Sequence, residues 1–196
     1  MKADSALILA GGRSTRMGYD KKRLELNGAS VLERLVEELG SLFREVLISS
    51  NEPVKCGKAR VVSDGIGAGP LAGIYRGLEV CGSDYLYVTA CDMPFLSAEY
   101  IRYIRGIVTA EGSADACVFR RFDGLYEPFN SFFGKSCLEP MRAALLRGEY
   151  KISLLLEALR LRVVEPEVAE RYSAPMFFNI NYQEDLARAE LMQTEK

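Results

Sequence analysis

Residues 6–26, ALILAGGRSTRMGYDKKRLEL, pass abruptly from an apolar run into a pair of glycines and then into separated groups of cations. The run 6–10, with Leu7, Ile8 and Leu9 at its centre, has no polar alternation, which is the pattern of a strand buried on both faces of a parallel sheet. Gly11 and Gly12 end it, and without Cβ atoms they free the backbone dihedrals and let N–H groups come close to a ligand. Arg13, Arg16, Lys21, Lys22 and Arg23 follow within a dozen positions, so a polyanion such as a triphosphate would meet backbone donors first and side-chain charge second. The same residues also suit a solvent-exposed loop, and local composition leaves both readings open.

Bulk properties narrow the choice. The 196 residues suffice for one α/β domain spanning 1–196, and 48% hydrophobic with 27% charged residues is ordinary globular composition. A net charge of -2 makes the whole molecule no trap for nucleic acid, so an anion site has to be a local excess of cations. Five cysteines without any C-x-x-C pair argue against a disulfide framework or a zinc site and for reduced thiols. No stretch approaches the ~20 apolar residues of a membrane span, and the expected location is the cytoplasm. The chain contains no histidine. That removes the commonest general base and any Ser-His or Cys-His nucleophile, leaving carboxylates, lysines, arginines and a hard metal ion.

Along the chain, Ser30 and Glu33 have capping-box spacing before a helix with Val31, Leu32, Leu35, Val36 and Leu39 on one face. A second strand at 45–50 ends at Asn51, which is either a turn former or a ligand contact. A short third strand at 60–63 leads into Asp64 and a glycine-rich loop. That loop is no dinucleotide fingerprint, because Pro70 stands where G-x-G-x-x-G needs glycine; it instead opens a helix with Leu71, Ile74, Tyr75 and Leu78 at helical spacing. A fourth strand at 84–90 delivers Cys91-Asp92-Met93-Pro94 to the same end of the sheet as Gly11, where open α/β sheets bind ligands. Asp92 there suits Mg²⁺ against phosphate oxygens, or a turn before Pro94. Ser97 can cap the next helix. The alternation then changes: a fifth strand at 114–120, an Asp123-Gly124 hairpin, and a return at 125–133 in which Pro128 marks an edge or bulge. Helical stretches at 136–146 and 152–159 are positioned to form a lid. A last strand is expected at 176–180, with Asn181 capping a closing helix.

Taken together, Leu9-Ala10-Gly11-Gly12, Arg16-Met17-Gly18, Asp20-Lys21, Asp64, Gly69-Pro70-Leu71-Ala72-Gly73, Cys91-Asp92-Met93-Pro94-Phe95 and Phe177-Phe178-Asn179-Ile180-Asn181 resemble the molybdenum cofactor guanylyltransferases, which join GMP to molybdopterin. The resemblance spans nearly the whole chain. It implies an α/β fold of nucleotide-diphospho-sugar transferase type: three layers, a Rossmann-like mostly parallel sheet with helices on both faces, and an antiparallel hairpin insertion. It further implies that Leu9, Ala10, Gly11 and Gly12 hold the nucleotide, Arg16 and Lys21 neutralise the triphosphate, Asn51 and Asp64 contact the guanosine, and Asp92 binds Mg²⁺. Asn179 and Asn181 would lie toward the pterin. The implied partners are GTP and molybdopterin, with molybdoenzymes or other cofactor-biosynthesis proteins downstream. Glu127, Tyr182-Gln183, Ala90 and Arg23 depart from the family's usual residues. Two rival readings remain. One is another nucleotidyltransferase of the same superfamily, such as a cytidylyltransferase of the same cofactor pathway, which more often carries Ala at the position of Gly11. The other is a non-catalytic nucleotide or pterin carrier, which would not need the metal carboxylate.

Overall fold

The computed structural model describes residues 1–11, 24–63, 65–66, 68–111, 114–172 and 174–194. The apolar opening run forms β1 (Ser5–Leu9), buried throughout. Around it lies a seven-stranded sheet built from β4 (Glu45–Ser49), β5 (Arg60–Val62), β6 (Tyr85–Ala90), β7 (Ala116–Arg120), β8 (Tyr126–Gly134) and β9 (Leu161–Val164). The strand order is β5-β4-β1-β6-β8-β7-β9. Strand β8 runs antiparallel to both its neighbours, whereas the other pairs are parallel. This is the expected mostly parallel α/β sheet with one antiparallel return.

Alternate residues of β1 feed the two faces. Ala6 and Ile8 join one apolar cluster with α1 (Val31–Leu42) and α3 (Ala98–Glu111). Leu7 and Leu9 join the other, with α2 (Gly69–Val80), α4 (Leu138–Leu146) and α5 (Ile152–Glu157). Helices α4 and α5 therefore form part of a buried layer, with Met141, Leu145 and Leu156 beneath them, rather than the lid that their position after the hairpin suggested. Gly73 and Gly77 bring α2 down onto the sheet. A Cβ at Gly73 would lie 2.6 Å from Ser49 Oγ and 2.7 Å from Leu9 Cδ2, and one at Gly77 would lie 2.8 Å from Leu7 Cδ2.

Local signals work as their chemistry dictates in most places. Ser30 Oγ accepts the Glu33 N–H at 3.3 Å and Ser97 Oγ the Tyr100 N–H at 3.3 Å. The Asp123-Gly124 turn is closed by Arg121 N–H to Leu125 O at 2.8 Å, with Gly124 at φ +82°. Register between β7 and β8 slips between Cys117 and Phe119, opposite the segment that contains Pro128. A small hairpin, β2 (Glu25–Leu26) and β3 (Ala29–Ser30), turns through Asn27 and Gly28, both at positive φ, as the twist of a two-residue connection demands.

Two expectations fail. Residues 176–180 are not a strand: Ala174–Phe177 is a 3₁₀ turn in which Pro175 O accepts the Phe178 N–H at 2.8 Å, and the Ile180 N–H goes to Asp92 O instead of to a ladder. Asn181 does not cap the last helix, α7 (Gln183–Thr194); Asp185 Oδ2, from inside its first turn, accepts the N–H groups of Asn181 and Tyr182 at 2.9 Å each. A four-residue helix, α6 (Pro166–Ala169), follows β9. All five cysteines are buried and none forms a disulfide, and burial pushes Cys117 and Cys137 up to about 12. Among the described residues, no helix is long and apolar enough to cross a membrane.

Candidate active site

Leu9 pairs with Ser49 on one side and Ala90 on the other, and Ser49 pairs in turn with Val62, so four parallel strands end in one row. The ladder runs one step further: Ala10 N–H donates to Ser49 O, Ser50 N–H to Val62 O and Cys91 N–H to Leu9 O, each at 3.0 Å. Gly11, Asn51 and Asp92 stand two residues beyond that row, and the backbone delivers all three to one edge of the sheet. Leu9 and Ala10 are buried, and the Leu9 carbonyl and Ala10 amide are bonded within the sheet. Gly12, Arg16, Lys21 and Asp64 lie outside the described residues, as do Arg13, Lys22 and Arg23.

Gly11 is exposed, and its φ is not in the left-handed region, so the expected unusual dihedral is absent there. What glycine supplies is space, since an added Cβ would approach nothing closer than Ser49 O at 4.0 Å. Asn51 is likewise exposed. The first turn of α2 belongs to this edge too, because α2 joins parallel β5 to β6, and Ala68 at its N-cap offers no side-chain cap to the orphan amides.

Asp92 is 7% exposed, and its backbone is clamped from three sides. Met93 N–H turns back to Ala90 O at 3.0 Å, Ile180 N–H donates to Asp92 O at 2.8 Å, and Arg34 Nη2 on α1 donates to Pro94 O at 2.7 Å. The Ile180 bond lays the 176–181 segment along the site, bringing Asn179 and Asn181, both half-buried, toward Asp92. Asn179 Oδ1 is buried without a hydrogen-bond partner among the described residues. Glu127 on β8 faces the same region. Burial pushes its carboxyl above the usual range and the charge of Asp92 adds to this, while the Phe129 amide at 3.1 Å and Arg121 oppose it.

One positioning residue, Asn130, carries no motif. It is 1% exposed at φ +50°, inside the β8 irregularity; its Oδ1 accepts the Tyr87 hydroxyl at 2.7 Å and its Nδ2 donates to Met176 O. It thereby anchors the start of the segment that ends on Asp92. Asparagine tolerates the left-handed region better than most residues, and a lone amide among the aromatics of 126–133 is the trace this leaves in sequence.

Residues 6–190 match the family model described as the MobA-like NTP transferase domain. The chain belongs to that family. It is accordingly a nucleotidyltransferase enzyme, and its curated relatives agree. A probable molybdenum cofactor guanylyltransferase of Peptoclostridium acidaminophilum is 36% identical, covering 98% of this chain and 91% of that protein. The molybdenum cofactor guanylyltransferase of Syntrophotalea carbinolica is 38% identical, over 96% and 91%. Among solved structures, molybdopterin-guanine dinucleotide biosynthesis protein A from Archaeoglobus fulgidus superposes with a TM-score of 0.84 at 26% identity, covering 98% of this chain and all of that one. The family's fold extends to a 2-C-methyl-D-erythritol 4-phosphate cytidylyltransferase of Thermus thermophilus, at TM-score 0.70 and 20% identity.

Proposed function

We propose that this chain transfers GMP from GTP to molybdopterin, forming molybdopterin guanine dinucleotide and releasing pyrophosphate, as a single cytoplasmic domain over 1–196. The observation that carries the reading is the common row from which Gly11, Asn51 and Asp92 emerge, with the 176–181 segment bonded to Asp92 from the other side. Relatives named for this reaction over nearly the whole chain support it.

In this reading Gly11 and Gly12 cradle the nucleotide, with Leu9 and Ala10 as their foundation. Arg16 and Lys21 meet the triphosphate, Asn51 and Asp64 the guanosine, and Asn179 and Asn181 the acceptor. The donor chemistry fits magnesium: Asp92 offers a carboxylate just beyond β6, and magnesium characteristically takes one or two protein carboxylates and completes its shell with water and phosphate. Asp92 would hold it, and when bound it would supply charge neutralisation at the α-phosphate. An ionised terminal phosphate on the acceptor attacks the α-phosphorus in line and needs no general base near neutral pH, which suits a chain without histidine. Arg16 and Lys21 stabilise the charge that develops on the departing pyrophosphate, so catalysis is positioning plus electrostatics.

Pyrophosphate release with molybdopterin and GTP, CTP or ATP in turn tests this. Turnover with GTP alone, abolished by Asp92→Ala in a folded protein, is the expected result. Preference for CTP, or full activity of that variant, refutes it.

A further inference from the structure

Asp92 follows β6, the middle strand of the sheet. On one side of it lie β1, β4 and β5, which carry Gly11 and Asn51; on the other lie β8, β7 and β9. On that second side is a cavity of about 450 Å³ lined by Phe119, Phe122, Met176 and Phe177, with the exposed Arg121 and Glu170 also in its wall. Phe119 and Phe177 stack at 4.1 Å to make one rigid aromatic surface. Phe122 keeps 75% of its surface in water beside it. The volume is that of a small-molecule site, mostly apolar with a few polar groups.

The cavity is joined to Asp92 by a short strap. Phe177 precedes Ile180 by three residues, which span at most about 10 Å, and Ile180 is bonded directly to Asp92 O. Met176, at the near end, is fixed by Asn130. The aromatics thus lie within a short chain span of Asp92, on the side of β6 opposite Gly11.

Resting on the guanylyl-transfer reading, we propose that this cavity takes the pterin ring of the acceptor. Phe122 covers one face of the ring, and Glu170 accepts hydrogen bonds from the amino group and ring N–H of its pyrimidine edge. The other carboxylate in the wall, Asp123, is occupied within the hairpin by Arg121 at 2.7 Å and the Leu125 N–H at 3.2 Å. Guanine presents a similar edge, so the order of the strands is what assigns the pocket to the acceptor.

Neopterin, followed by the quenching of its own fluorescence on the full chain, is the probe. Losing a hydrogen bond to a charged group implies about tenfold weaker binding for Glu170→Gln, and losing one aromatic face a few-fold for Phe122→Ala. Both residues are exposed, so melting temperatures stay at the parent value. In turnover the same factors fall on the acceptor KM while the GTP KM and kcat hold. Absence of neopterin binding, unchanged binding in both variants, or displacement of neopterin by GTP overturns the assignment. Pyrophosphate release that proceeds normally in both variants, with an unaltered acceptor KM, defeats the cavity reading alone. Neopterin binding that responds to both variants in a protein that never releases pyrophosphate from GTP defeats guanylyl transfer and leaves the pterin pocket standing.

Discussion

Replacing Gly73 by Ala puts one methyl group between α2 and the ends of β1 and β4, the strands that launch Gly11 and Asn51. The added carbon would lie 2.6 Å from Ser49 Oγ, 2.7 Å from Leu9 Cδ2 and 3.2 Å from Ser49 Cβ, all inside van der Waals contact. Overpacking of this kind costs about 1–3 kcal/mol, and the better helix propensity of alanine returns roughly 1 of it. Gly106, midway along α3, and Gly40 in α1 are controls with no heavy atom within 4 Å of an added Cβ, so alanine there stabilises by about 0.5–1 kcal/mol. The expected gap between Gly73→Ala and either control is therefore about 1–3 kcal/mol in urea unfolding, or some 2–4 °C in Tm for each kcal/mol. Leu9 and Ser49 are the groups that must give way, so nucleotide KM should rise in Gly73→Ala and hold in the controls. A Gly73→Ala protein as stable as the Gly106 variant, with unchanged nucleotide KM, would refute the claim that the seating of α2 sets the position of the nucleotide edge.

Asp115 accepts bonds from Arg160 Nη2 at 2.8 Å, Arg160 Nε at 3.1 Å, the Arg160 N–H at 2.9 Å and Ser136 Oγ at 2.7 Å, and Arg160 foremost holds its carboxyl down to about 2 from 3.8. A depressed carboxyl stabilises above its unfolded pKa and loses that contribution as pH falls through the folded value. Arg160 is 71% exposed, so solvent screens the pair, and its contribution is lost between pH 4 and 2; Asp115→Asn should lack this phase of acid unfolding and be less stable than the parent at pH 7. Asn130→Ala leaves the Tyr87 hydroxyl and the Met176 carbonyl short of partners and strains φ, for about 2–4 kcal/mol in all, and Asn130→Gly should recover roughly 1 of it in denaturant titrations. Lys21→Ala should cost roughly 10²-fold or more in kcat without loss of Tm, as for removal of a transition-state charge contact; equal kcat would remove Lys21 from the catalytic set.

The strands that build the edge bearing Gly11, Asn51 and Asp92 were legible because burial on both faces leaves an uninterrupted apolar run, as in β1 and β6, and a run of that kind has one place to end. Once β1, β4 and β6 are parallel, Gly11, Asn51 and Asp92 have to share an edge, and their gathering follows from topology. The other half of the sheet was harder to read. Residues 161–164 alternate through Arg162 on an edge strand, so no apolar run announces β9. Residues 176–180 look like a strand, but Pro175 favours a turn and the carbonyl of Asp92 captures Ile180, a partner 88 positions away that no local pattern reveals. Asn27-Gly28 is a hairpin signal in its own right, standing directly behind a charged stretch that draws attention to phosphate chemistry instead. The cavity beside β7 has no motif either, because it is assembled from a hairpin tip, a four-residue helix and a 3₁₀ turn.

The five covered thiols make the molecule its own reporter of breathing. An alkylating reagent reaches a buried sulfur only when the surrounding structure opens, so the labelling rate at each cysteine counts openings of its neighbourhood. Cys56 lies in the irregular connection between β4 and β5, Cys91 in the turn that carries Asp92, and Cys117 in β7 within the sheet. Site-resolved alkylation thus distinguishes loosening of the turn that carries Asp92 from unravelling of the sheet, and a nucleotide that tightens only the first would slow Cys91 while leaving Cys117 at its global rate.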